Sequence, residues 1–173
     1  FFEFYREKMI FLDAKPNVTH TKLAKLEADG KVKAVITQNI DGLHQKAGSK
    51  RIMELHGSVH RNYCMKCGKY HDIKVILNTD GVPLCECGGV IKPDVVLYEE
   101  GLNQRLMGDA VKSIAQADML IVGGTSLSVY PAAGLVEYYR GDRLVLINKS
   151  ATPYDRHANL LLQNGLGEVF LQV

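Results

Sequence analysis

Four cysteines restrict the fold of this chain more than any other feature. They stand as Cys64-x2-Cys67, then seventeen residues, then Cys85-x-Cys87. Two close pairs at that separation suit a tetrahedral zinc site, with two thiolates from each knuckle. The second knuckle is tighter than the commoner Cys-x2-Cys but can still chelate. Four thiolates fill the tetrahedron and leave no position for water, so the expected zinc is structural and not catalytic. Clustered cysteines also suit a reducing compartment and a metal better than disulfides. With no signal peptide and no apolar stretch of membrane-spanning length in these residues, cytoplasm is the expected location and no membrane partner is expected.

Around this module the chain alternates apolar runs with helical patterns. Val32–Thr37, Asp118–Val122 and Leu144–Ile147 are β-branched or continuously apolar and predict buried strands. Val95–Tyr98 is strand-like, and Val169–Leu171 suggests a last strand. Helices are expected over residues 1–15, from Thr19 to Gly30, over Leu43–Ala47, through Leu106, Ala110, Val111 and Ile114, after Pro131, and from Thr152, which is expected to cap its helix. Strands alternating with helices, and apolar on both faces, predict an α/β fold with a Rossmann-like parallel sheet and a small inserted zinc-binding domain. The expected division is a helical segment at 1–15, sheet domain at 16–57, zinc insert at 58–93 and sheet domain again at 94–173. A length of 173 residues with 46% hydrophobic content supports one domain plus an insert. Phe1-Phe2-Glu3-Phe4-Tyr5 reads as the middle of an element, so an N-terminally truncated sheet is expected.

Ligands of open α/β sheets bind beyond the carboxyl ends of the strands. Three strand ends carry polar loops: Gln38-Asn39-Ile40-Asp41, Gly124-Thr125-Ser126 and Asn148-Lys149-Ser150. Glycine admits a ligand to the backbone, hydroxyls and free amides hold phosphate, and Asn or Asp can hold ribose hydroxyls. Any one of these loops is more often a plain turn; three together raise a nucleotide site to an equal reading. His56 stands eight residues before Cys64, at the junction of insert and sheet domain. It is a structural hydrogen-bonder or a proton carrier, and imidazole is the side chain best poised for proton transfer near neutral pH. His60 and His71 have no place in the filled tetrahedron and are read as surface residues. The insert is also compatible with a nucleic-acid-binding ribbon. Between Ser58 and Pro93, however, five Lys/Arg stand against three Asp/Glu, and the whole chain carries +2. That is too weak a basic patch, so no direct nucleic-acid partner is expected.

Thr37-Gln38-Asn39-Ile40-Asp41-Gly42-Leu43-His44, Glu54-Leu55-His56-Gly57-Ser58, the paired cysteines, Lys92-Pro93-Asp94-Val95-Val96, Gly124-Thr125-Ser126-Leu127-Ser128-Val129 and Asn148-Lys149-Ser150 occur in one order. In that order they resemble the sirtuins, NAD-dependent protein-lysine deacylases, of bacterial type, over nearly all the chain from Pro16 onward. The resemblance implies that His56 is the general base acting on a ribose hydroxyl after nicotinamide has left. It implies that Gln38, Asn39, Ile40 and Asp41 line the nicotinamide and ribose pocket, with Asn39 and Asp41 beside the chemistry. Gly124, Thr125 and Ser126 would hold phosphates and ribose, Asn148, Lys149 and Ser150 the adenosine ribose, and the Leu166 backbone the adenine. Val95, Val96 and Leu97 would pair with the substrate peptide as an added strand. The implied partners are NAD and an acylated-lysine protein or peptide; the implied products are deacylated lysine, nicotinamide and O-acyl-ADP-ribose.

The family's Gly-Ala-Gly-x-Ser phosphate loop and its strand are expected before Phe1, leaving an unfilled slot in the sheet. The family's Phe-Gly-Glu is Tyr98-Glu99-Glu100 here, which puts the local loop geometry in question. Protein ADP-ribosyl transfer from the same pocket, and a non-catalytic zinc-stabilised binding module, are the competing readings.

Overall fold

The structure, a computed structural model, describes residues 1–173. Its strands form three small sheets. The first pairs β1 (Val35–Thr37) in parallel with β2 (Ile52–Glu54), joined through α3 (Leu43–Ala47). The second is antiparallel, in the order β4 (Tyr70–His71), β3 (Gly57–Cys64), β5 (Ile91–Val95). The third is parallel, in the order β6 (Leu120–Gly123), β7 (Leu144–Ile147), β8 (Leu160–Leu162). The parallel strands expected in one sheet therefore lie in two. β6 pairs only with β7, and Ile121 is exposed where burial on both faces was expected.

Helix starts follow side-chain caps. Asn17 accepts from the His20 backbone N–H, and the His20 ring accepts from the Asn17 N–H. This reciprocal cap starts α2 (Val18–Ala28) one residue before the expected Thr19. Asp72 caps α4 (Ile73–Leu77), and Asn103 caps α5 (Gln104–Ala115), whose Ala110 and Ile114 are buried.

Several boundaries differ from the expectations. α1 is Phe2–Lys8 and does not reach residue 15: the chain leaves the helix at Met9, whose N–H donates to the Tyr5 carbonyl as the last helical bond. The segment after Pro131 is a 3-10 helix, Ala132–Tyr138. Thr152 opens no α-helix. Its hydroxyl accepts from the Tyr154 N–H and donates to Asp155, closing a turn that leads into the 3-10 stretch Asp155–His157. Val169–Leu171 is not a strand. It closes α6 (Leu166–Phe170), where the Glu168 carboxylate accepts from the Gly165 N–H at 3.0 Å. β8 had no β-branched signal and is ordered by its ladder with β7.

Three cores hold these pieces. One gathers Tyr5 of α1 with Val59, Cys64, Ile73, Ile76, Cys85, Ile91 and Val95, so α1 packs into the zinc module. A second joins Met53 and Leu55 to Leu102, Ala110, Ile114, Ala132 and Leu135, with Ile36 of β1 and Leu120 of β6 packed against it. The third lies under β7 and Tyr154. The second core thus packs the first sheet and the start of β6 against α5 and the 3-10 helix.

Candidate active site

The four sulfurs lie within 4.8 Å of one another. Cys64 Sγ is 3.4 Å from Cys87 Sγ, and Cys67 Sγ is 3.8 Å from Cys85 Sγ. Zinc–sulfur bonds of about 2.3 Å separate tetrahedral sulfurs by about 3.8 Å, so the cluster fits a zinc ion. The Cys67 backbone N–H, with help from that of Lys66, lowers the Cys64 thiol to about 6. Gly89 makes room for it: a Cβ there would sit 2.6 Å from Cys64 Sγ.

His56 lies in the turn between β2 and β3, directly before Gly57. Its Nδ1–H donates to the Gln38 carbonyl at 3.1 Å, which fixes the tautomer and leaves the Nε2 lone pair free to take a proton. Its own carbonyl accepts from the Val96 N–H at 3.1 Å. Gly57 pairs with Val95 at φ +79°, and a Cβ on it would lie 1.8 Å from the Asp94 carbonyl oxygen. The base and the strand expected to meet substrate are thus in backbone contact.

The expected substrate strand is shifted. β5 is an edge strand, which tolerates Pro93, and it ends at Val95. Leu97 is outside it: its N–H donates to the Glu100 carboxylate and its carbonyl accepts from the Glu100 N–H, so its backbone is committed to a turn. The Leu97 N–H and then the Lys92 ammonium hold the Glu100 carboxyl below its ordinary range. Glu99 takes φ +69°, the conformation that glycine favours, so the turn keeps its geometry without glycine at a cost of about 1 kcal/mol.

Three loops meet at the ends of the third sheet. The Asn148 side chain donates to the carbonyls of Thr125 and Ser150, both at 3.0 Å, tying two of the predicted loops together. Thr125 Oγ1 accepts from the Leu127 N–H, and Ser126 and Ser128 share a hydroxyl bond at 2.6 Å. Leu166, which opens α6, packs on Gly123 and Gly124, and Lys149 on Gly165. In the other loop the Asp41 carboxylate accepts from the Leu43 N–H, while the Thr37 hydroxyl accepts from the Asn39 N–H. Helix α2 connects the two regions: Val18 touches Gly167 of α6, and His20 meets His44 of α3, ring centres 4.6 Å apart.

That imidazole pair is sensitive to acid. Burial pulls His20 below its ordinary 6.5 against the attraction of Asp41; burial and then the charge of His20 pull His44 down, against Asp41 and Glu54. The unfolded chain binds these protons first as pH falls. The stabilisation is therefore complete above 6.5 and is lost progressively below it. The thermal midpoint should fall from neutral pH towards about pH 5, and a His20→Gln/His44→Gln variant should show a flatter decline. An unchanged slope would refute the assignment to this pair.

Two further residues reach the site without a motif to mark them. His60, expected as a surface residue, is exposed but donates from Nε2 to the Asp41 carbonyl at 3.1 Å. Arg61 bridges Glu54 at 2.6 Å and Asp94 at 2.8 Å. No sequence signal marks these contacts: His56 lies in the turn before β3, and the bulge within β3 breaks the two-residue alternation between it and His60.

The same layout recurs in known proteins. The model of the Sir2 family matches residues 1–131. The chain belongs to the Sir2 family. An NAD-dependent protein deacetylase of Clostridium acetobutylicum is 61% identical to this Sir2-family chain over 171 residues, covering 98% of the chain and 70% of the relative. One from Cutibacterium acnes is 54% identical over 173 residues, covering 100% and 71%. Among solved structures, a complex of Sir2 with p53 peptide and NAD+ superposes with a TM-score of 0.94 at 42% identity, covering 100% of this chain and 75% of that one. Sir2 bound to acetylated peptide matches with a TM-score of 0.94 at 42% identity, covering 100% and 76%.

Proposed function

We infer that this Sir2-family chain is an NAD-dependent protein-lysine deacetylase. The observation that carries the mechanism is the double tether of His56: its Nδ1–H is spent on the Gln38 carbonyl, and its carbonyl binds the Val96 N–H. One residue thereby touches the polar loop after β1 and the segment that follows β5. NAD, when bound, would supply an electrophilic anomeric carbon with nicotinamide as its leaving group. With one water consumed to release the amine, the products would be deacylated lysine, nicotinamide and O-acyl-ADP-ribose.

The side chains divide the work. His56 Nε2 accepts a proton from a ribose hydroxyl, and its fixed tautomer spares the ring any reorganisation before it does so. Gln38, Asn39, Ile40 and Asp41 line the nicotinamide and ribose end, with Asn39 and Asp41 nearest the chemistry. Gly124, Thr125 and Ser126 hold phosphate and ribose oxygens. Asn148, Lys149 and Ser150 hold the adenosine ribose, and Leu166 meets adenine. Val95 and Val96 offer backbone to an acyl-lysine peptide, with Leu97 at the turn that ends this edge. The four thiolates hold structural zinc away from the reacting atoms. Reduced cysteines suit a cytoplasmic setting, and no helix is long and apolar enough to cross a membrane.

The test is nicotinamide release by the protein with NAD alone, with acetyl-lysine peptide alone, and with both together. Release should require both, with matching deacetylated peptide. Release without peptide, with label from NAD retained covalently on protein, would select ADP-ribosyl transfer instead.

A further inference from the structure

The hairpin between β3 and β5 contains an irregularity with a specific layout. Ser58 pairs with Asp94 and Asn62 pairs with Pro93, so Val59, His60 and Arg61 bulge from β3 between two adjacent partners on β5. A bulge releases residues from ladder bonding and re-aims their side chains. Two of the three, Val59 and His60, bond to the Gln38–Asp41 loop, and the third ties β2 to β5. The Val59 N–H donates to the Ile40 carbonyl at 3.0 Å. The His60 Nε2–H donates to the Asp41 carbonyl at 3.1 Å, with its ring against Gly42. Arg61 joins Glu54, at the end of β2, to Asp94.

The bulge is itself held from the zinc module. Tyr70 donates its hydroxyl to the His60 carbonyl at 3.3 Å, and Ser58 Oγ accepts from the His60 N–H at 3.3 Å. The backbone of residue 60 is thus fixed independently of its ring, and the ring bonds to the pocket loop alone. His56 holds the same loop three residues earlier, at the Gln38 carbonyl.

We propose that His60 is a positioning residue for the reaction: it fixes the Asp41 end of the Gln38–Asp41 loop to the zinc module, and so sets the shape of the pocket that receives the nicotinamide ribose. The inference rests on the deacetylase reading for its kinetic consequence, but its structural content does not. The acceptor is a main-chain carbonyl, so the bond orients backbone and leaves the Asp41 carboxylate free for its Leu43 contact. A net hydrogen bond of this kind corresponds to an effect of about threefold to tenfold.

The experiment compares the parent chain, His60→Ala and His60→Gln. A Gln amide nitrogen falls near the place of imidazole Nε2 and can donate to the same carbonyl. Without NAD or peptide, backbone amide exchange across residues 38–43 should quicken about threefold to tenfold in His60→Ala and return towards the parent in His60→Gln. With substrates, KM for NAD should rise by a similar factor in His60→Ala, KM for the acyl peptide should hold, and Gln should restore the NAD value. Unchanged exchange in His60→Ala overturns the proposal. So does a faster exchange spread evenly over the zinc module, which would mark an ordinary structural role. A parent chain that releases no nicotinamide defeats the deacetylase reading, while the exchange comparison still decides His60.

Discussion

Replacing His56 by alanine should cut deacetylation by about 10²–10⁴-fold, the range for loss of a positioned general base. The loss should appear in turnover, with the folded chain and its zinc retained. The hydrogen bond to Gln38 is lost together with the base, so His56→Asn is the sharper comparison. An Asn amide placed near Nδ1 can keep the bond to that carbonyl while offering nothing at Nε2. If the base is what matters, both variants should be comparably slow. Activity near the parent level in His56→Asn would show that the ring is needed only to hold the loop. Full activity in His56→Ala would remove the general-base assignment altogether.

Removal of zinc should have an effect as large by a different route. Structural zinc sites in small domains carry apparent binding energies of about 10–16 kcal/mol, and their folding depends on the metal. Here the ligands are part of the core: Cys64 and Cys85 are buried with Tyr5, Val59, Ile73, Ile76, Ile91 and Val95. The Gly89 N–H draws the Cys87 thiol down, but the neighbouring thiols outweigh it and push Cys87 up to about 12. Without the ion, no disulfide or metal bond joins the Cys64–Cys67 knuckle to the Cys85–Cys87 knuckle. Chelation should therefore abolish turnover, lower the thermal midpoint and expose apolar surface to dye, with α1 loosening alongside the insert. Zinc supplied during refolding should restore all three. Turnover that survives complete demetallation would overturn the clamp role; loss of turnover with an intact insert would point to a catalytic metal instead.

The parts of the molecule written in local chemistry were the ones legible in the chain. Cysteine spacing encodes a metal cluster without reference to the rest of the fold, and the sulfurs indeed converge. β7 at Leu144–Ile147 and α5 through Leu106–Ile114 follow from apolar pattern alone. The polar loops could be placed because strand ends are where an α/β sheet presents its ligand. What stayed hidden depended on partners distant in sequence or on one deciding bond. Val169-Phe170-Leu171 is apolar enough for either state, and the Glu168–Gly165 bond decides for helix. β8 is three leucines that become a strand only beside β7. His60 carries no signal of its own contact, because the bulge that aims it is a property of β3 against β5.

Gly57 gives the contact between the proposed base and the proposed substrate strand a mutational meaning. At φ +79°, with the Asp94 oxygen 1.8 Å from where any side chain would begin, the position admits one amino acid. Neighbouring residues can drift by substitution and repacking, since a side chain can yield. A backbone carbonyl held in a ladder cannot. The step from His56 into the hairpin is therefore frozen at the level of the alphabet, and any variation in acyl-lysine preference among descendants of this chain must be written elsewhere, in side chains that surround this point and not in the spacing it imposes.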